Sequence, residues 1–126
     1  MTTLNILHLE DDADLRKSIR DILKVLVPEA NVQQFSTSDE ALQYVLNGNP
    51  EVNLFLLDVR VPGRFNGIGL AHRLRELGYT STIAFCSAYA KPSLPGDLNY
   101  TWLQKPTGVE DFVRITQAAQ AEKMQP

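Results

Sequence analysis

The stretch Leu54-Phe-Leu-Leu-Asp-Val-Arg-Val-Pro-Gly63 constrains this chain more than any other. Four apolar residues run into a single carboxylate, Asp58, and Pro62-Gly63 close the run. A short apolar run bounded in this way reads as a strand buried on both faces. Strands of that kind belong to parallel sheets covered by helices, whose C-terminal strand ends form the binding edge. Taken alone, Asp58 reads as a residue that opens a turn. The other strand ends change that reading.

Asn5 to Leu9 is a first strand, followed at once by Glu10-Asp11-Asp12. Leu15, Ile19, Ile22, Leu23 and Leu26 then recur at helical spacing, with Asp12 as N-cap and Pro28 as the stop. Asn31 to Phe35 is a second strand. Thr37-Ser-Asp-Glu40 has capping-box spacing and opens a second helix, ended by Gly48 and Pro50. After the strand to Asp58, Ile68, Leu70, Ala71, Leu74 and Leu77 mark a third helix closed by Gly78. Thr82 to Cys86 is a fourth strand leading into Ser87, and Tyr100 to Gln104 a fifth leading into Lys105-Pro106. A last helix runs from about Val109 to about Ala121, with Val109, Phe112, Val113 and Thr116 inward, and 122–126 reads as a frayed tail. Strand and helix alternate, which predicts a doubly wound parallel sheet in one domain spanning 1–126. Between the fourth and fifth strands, Pro92, Pro95 and Gly96 replace the helix by an irregular loop with at most a 3₁₀ turn.

Parallel strands deliver their C-terminal ends to one edge, so Glu10, Asp11, Asp58, Ser87 and Lys105 gather there. Three clustered carboxylates resist ionising together. A divalent cation removes the conflict, and Mg²⁺ suits an all-oxygen site best. A carboxylate can also act as nucleophile toward phosphorus. The phosphorylated product would then share its negative oxygens among Mg²⁺, the Lys105 ammonium and the Ser87 hydroxyl. Each residue alone has a plainer role: a capping cluster at Glu10–Asp12, a turn at Ser87, a solvated strand end at Lys105. His8 reads as packed within its strand, and His72 has no assigned role.

With these motifs in this order, the chain resembles the receiver domain of two-component response regulators over nearly its whole length. Glu10 and Asp11 match the metal-binding acid pair, and Leu56-Leu-Asp-Val-Arg-Val-Pro-Gly63 matches the phosphoacceptor motif, with Asp58 as acceptor. The resemblance implies a flavodoxin-like strand order 2-1-3-4-5. It also implies a metal contact from the backbone carbonyl of Arg60, a switch pair Ser87 and Trp102, and a cis peptide at Lys105-Pro106. Asp11 would be a more direct metal ligand than Glu10. Three departures stand out: one extra residue in the loop Gly63-Arg-Phe-Asn-Gly67, a short Ser87-to-Lys105 interval, and Trp102 where Tyr or Phe is usual. The shortened interval bears on the family's dimer face and predicts a monomer or weak dimer.

The function so implied is a signalling switch and not an enzyme. A sensor histidine kinase or phosphotransfer protein would donate a phosphoryl group to Asp58, and output would pass through a downstream protein or a larger chain. One alternative is a Mg²⁺-dependent aspartyl-nucleophile phosphatase, which Arg60 disfavours because that class carries a second Asp there. Another is a receiver-like binding module that works without phosphorylation. Net charge of −3 gives no pull toward nucleic acid or an anionic membrane. No apolar run reaches the length of a membrane span, the N-terminus lacks signal-peptide character, and Cys86 is the single cysteine. A cytoplasmic location is the expectation.

Overall fold

The structure, a computed structural model, describes residues 3–124. Five parallel strands form one sheet: β1 Asn5–Leu9, β2 Asn31–Phe35, β3 Leu54–Asp58, β4 Thr82–Ser87 and β5 Tyr100–Gln104. Their order is β2-β1-β3-β4-β5, the flavodoxin-like order. Four helices complete the fold: α1 Ala13–Leu26, α2 Ser38–Leu46, α3 Gly67–Glu76 and α4 Val109–Lys123. β3 is buried along its whole length, as its unbroken apolar run requires.

Two cores lie on opposite faces of the sheet. On one, Ile6, Leu54, Leu56, Ala84, Cys86 and Leu103 meet Ile19 and Leu23 of α1 and Phe112, Ile115 and Ala119 of α4. On the other, Leu7, Leu9, Phe55, Leu57, Ile83 and Phe85 meet Ala41 and Val45 of α2 and Leu70 and Leu74 of α3. Local signals act at the helix starts. The Asp12 carboxylate accepts from the amides of Asp14 and Leu15, and the Thr37 hydroxyl accepts from the Glu40 amide. The Glu40 carboxylate takes hydrogen bonds from the Ser36 and Thr37 hydroxyls, forming a local cluster at the start of α2.

Between β4 and β5 the connection holds a single 3₁₀ turn, Gly96–Leu98, where an alternating fold would carry a helix. The C-terminal end differs from the sequence expectation. α4 continues to Lys123, so only part of the proposed tail lies beyond it, and Gln125 and Pro126 fall outside the described residues. Val109, the first residue of α4, is 53% exposed and not inward; Phe112, Ile115, Thr116 and Ala119 form the buried face of the helix instead.

Candidate functional site

Side chains alternate between sheet faces along a strand, and this sorts the strand-end residues into two sets. Glu10, Asp58 and Lys105 share phase with Ile6, Leu56 and Leu103, so they fall on the α1/α4 face. Ser87 shares phase with Phe85 and falls on the α2/α3 face, toward which Trp102 also packs. The C-terminal edge thus holds an acid–lysine pocket on one side and a hydroxyl–aromatic pair on the other.

In the pocket, Lys105 Nζ lies 2.9 Å from Glu10 Oε1 and 3.2 Å from Asp58 Oδ2. Glu10 and Asp58 are 2% and 7% exposed, whereas Asp11 sits exposed at the mouth. The second Glu10 oxygen accepts from the Asp12 amide at 3.1 Å. Its main-chain carbonyl accepts from Arg16 Nη1 at 2.8 Å. Burial pushes the Glu10 carboxyl above its ordinary pKa; Lys105 and the Asp12 amide oppose this, and the Asp58 charge reinforces it. Burial also works against the Lys105 ammonium. Its bond to Glu10 and the charge of Asp58 outweigh that effect and raise its pKa.

The Lys105-Pro106 peptide is cis, and the Lys105 amide donates to the Ser87 carbonyl at 2.7 Å. Gly67 packs against the Asp58 carbonyl so closely that a Cβ there would collide with it. In the loop before α3, Gly63 has φ +122° and lies against the N-terminus of α2. There Ser38 donates to the Pro62 carbonyl and Arg64 Nε pairs with Asp39 at 3.3 Å.

Glu10, Asp11 and Asp58 offer carboxylate oxygens that lie within 4.8 Å of one another. An all-oxygen donor set of this kind fits Mg²⁺. Both Glu10 oxygens are engaged by Lys105 and the Asp12 amide. Both Asp58 oxygens are engaged as well, by Lys105 and the Arg60 amide, whereas Asp11 lies exposed at the mouth. The Arg60 amide donates to Asp58 Oδ1 at 3.4 Å, which keeps its backbone beside the acceptor.

Ser87 and Trp102 are not in contact with Asp58 through any hydrogen bond found among the described residues. They meet instead through Tyr89, a residue that local sequence patterns did not single out. The Tyr89 amide donates to Ser87 Oγ at 3.1 Å, and Trp102 Nε1 donates to the Tyr89 carbonyl at 3.3 Å. The Arg60 guanidinium lies over the Tyr89 ring, 4.0 Å from its centroid. These bonds run from the strand-end hydroxyl and Arg60 to the fifth strand. His8 is packed, as expected, beneath the pocket: Gln34 Nε2 donates to its Nδ1 at 3.0 Å and to the Arg16 carbonyl at 2.8 Å.

A family model described as the response regulator receiver domain matches residues 6–99. Over 74 residues the chain is 36% identical to the cyclic di-GMP phosphodiesterase response regulator RpfG of Xanthomonas campestris pv. campestris (strain 8004). That match covers 59% of this chain and 19% of RpfG, so the chain spans about a fifth of that relative's length. Among solved structures, a CheY-like receiver domain from Methylobacillus flagellatus aligns with a TM-score of 0.79 at 19% identity, covering 94% of this chain and 99% of that one. A sensor protein from Polaromonas sp. JS666 aligns with a TM-score of 0.81 at 22% identity, covering 96% and 98%. At these identities the structural likeness speaks for the fold. No helix among the described residues is long and apolar enough to cross a membrane.

Proposed function

This chain belongs to the response regulator receiver domain family, and from that membership and the geometry of the pocket we propose that it is a signalling switch phosphorylated on Asp58. The observation that carries the reading is the Lys105 ammonium, held 2.9 Å from Glu10 and 3.2 Å from Asp58 at the sheet edge. An Asp58 oxygen attacks the phosphorus of a phosphohistidine on a kinase or phosphotransfer protein. The O–P bond forms as the N–P bond breaks, and the imidazole leaves with the electron pair. Lys105 is placed to pair with a phosphoryl oxygen on Asp58, and the Ser87 hydroxyl to donate to another once it swings across the strand end. Asp11, Asp58 and the Arg60 carbonyl would hold Mg²⁺, with Glu10 in support; bound there, the ion supplies the positive charge that the transferring oxygens need. Among the described residues, the one cation paired with the buried Asp58 carboxylate is shared with Glu10.

A phosphatase reading finds no support at the position two residues past Asp58. Arg60 stands there, with its guanidinium over Tyr89, and it cannot protonate a leaving group. We take residues 1–126 as one receiver unit that acts in the cytoplasm through a downstream protein. Ser87, Tyr89 and Trp102 would pass the change at Asp58 to the β4–β5 loop. Beryllium trifluoride, which mimics a phosphoryl group on a carboxylate, tests this by NMR. With Mg²⁺ present, the Ser87 and Tyr89 amides and the Trp102 indole should shift in the wild type and stay still in Asp58→Asn. Equal shifts in both proteins would overturn the reading.

A further inference from the structure

The turn from β1 into α1, Glu10-Asp11-Asp12, carries two acids of the pocket, and the first of them is fixed at every polar atom. The Glu10 amide donates to the Phe35 carbonyl at 3.0 Å, and its carboxylate oxygens take Lys105 Nζ and the Asp12 amide. Its carbonyl accepts from Arg16 Nη1 at 2.8 Å. Asp11 differs. It is exposed, and among the described residues no hydrogen bond or ion pair reaches its carboxylate. Yet one of its oxygens stands within 4.8 Å of a carboxylate oxygen on Glu10 and on Asp58. A side chain without partners of its own is placed by its backbone.

Arg16 holds that backbone. A planar peptide keeps the carbonyl of Glu10 and the nitrogen and Cα of Asp11 in one plane, so a bond that fixes the carbonyl also fixes the start of Asp11. Helical side chains lean toward the N-terminus, which sends the Arg16 stem back from the first turn of α1 toward this peptide. Arg16 is itself braced. Its amide donates to the Asp12 carbonyl at 2.9 Å, and its carbonyl accepts from Gln34 Nε2 of β2 at 2.8 Å. Gln34 is held in turn: its oxygen accepts from Arg20 Nη1 at 3.2 Å, and its Nε2 also donates to His8 Nδ1 at 3.0 Å. The half-buried Arg16 guanidinium thus ends a chain of bonds that runs from β2 through α1 to the mouth of the pocket.

We propose that Arg16 is a positioning residue for the metal site: by fixing the Glu10–Asp11 peptide it aims the Asp11 carboxylate at the place shared with Asp58. This role rests on the Mg²⁺ site of the switch reading above. Charge and geometry pull in opposite directions here, which makes the role measurable. A guanidinium beside a cation site repels Mg²⁺, so on charge alone Arg16→Met would tighten binding. A side chain that only stabilised the fold would leave the affinity of the folded protein where it was. Loss of positioning weakens binding, by about tenfold on the scale of other groups that orient metal ligands without touching the metal.

NMR of the full chain tests this. The amide shifts of Asp11, Asp12 and Val59, followed as Mg²⁺ is added, give the affinity, and the carbon shift of the Glu10 carbonyl reports its hydrogen bond. Arg16→Met should lose the wild-type carbonyl shift and bind Mg²⁺ about tenfold more weakly, while the rest of its spectrum stays that of the folded protein. Arg16→Lys keeps the charge and a donor on a long stem, and it carries the test alone should Arg16→Met not fold. If its carbonyl shift stays at the wild-type value, its Mg²⁺ affinity should stay as well; if the shift is lost, the affinity should fall. An Arg16→Met variant that binds like wild type or tighter, or an Arg16→Lys variant in which shift and affinity move independently, would overturn the proposal. The switch reading fails on a different result. Wild-type protein without any Mg²⁺ response defeats the metal site and this role with it, whereas equal binding by wild type and Arg16→Met defeats the role of Arg16 alone.

Discussion

Lys105 holds together a pocket that would otherwise repel itself. Its ammonium is the cation within salt-bridge distance of both buried acids, Glu10 and Asp58. Its raised pKa means that this contribution is present below the ordinary lysine value and is lost as pH rises through the folded value. Replacing it by Met should leave Glu10 buried and unpaired, at a cost of about 3 kcal/mol near neutral pH. The deficit relative to wild type should shrink as pH falls, because a protonated Glu10 needs no cation; urea unfolding at several pH values measures it. His8 gives the opposite slope. Burial first, then Lys105 and Arg16, lower its pKa from 6.5 to about 3. Between those values the unfolded chain binds a proton that the folded chain does not. Stability from this group therefore falls as pH drops below 6.5, at up to about 1.4 kcal/mol per pH unit. Both Gln34 amide protons are already donated, one of them to His8 Nδ1, so the ring stays neutral with its proton on Nε2. NMR of the His8 ring should show that tautomer unchanged from pH 8 to pH 5, and a titration midpoint near 6.5 would contradict this packing.

At the scale of elements, Arg75 does work that no local pattern announces. Its guanidinium donates to the carbonyls of Tyr79, Ser81, Leu98 and Asn99, joining the end of α3 to the connection before β4 and to the far end of the β4–β5 loop. Arg75→Ala should destabilise the protein by about 2–3 kcal/mol, since several carbonyls lose their donor at once. Hydrogen exchange should accelerate first around residues 96–100; unchanged protection there would mean that the loop is held otherwise. Arg75 also marks the limit of what the sequence conveyed. The strands were legible because their apolar runs end sharply at Glu10, Asp58 and Lys105, and the missing helix was legible because Pro92, Pro95 and Gly96 forbid one. The pocket followed, since parallel strands carry their ends to one edge. Tyr89 and Arg75 were not legible. Arg60 lies 29 residues from Tyr89 and Asn99 lies 24 from Arg75, and each of their hydrogen bonds uses a backbone atom on one side, which leaves no mark on residue type. Val109 was misplaced for a related reason: helical periodicity gives a helix its apolar face but not whether the first residue on that face is covered.

For the whole molecule, we propose that the β4–β5 loop, with its single 3₁₀ turn, offers no helical face on which two copies could pair. Light scattering should therefore report a monomer both with and without the beryllium trifluoride adduct. A dimer that forms with the adduct and whose contacts map to residues 89–99 would contradict this. The two cores cover opposite faces of the sheet, and the site sits at one edge with its acids on one face and its hydroxyl on the other. In the proposed switch, Asp58 is the acceptor and Ser87, Tyr89 and Trp102 are the route outward. The most direct measurement is intact-protein and peptide mass spectrometry after incubation with a small phosphodonor, with and without Mg²⁺. The account predicts one phosphoryl group, on Asp58, only with Mg²⁺, and none on Asp58→Asn. A phosphoryl group mapped to any other residue, or undiminished uptake by Asp58→Asn, would contradict it.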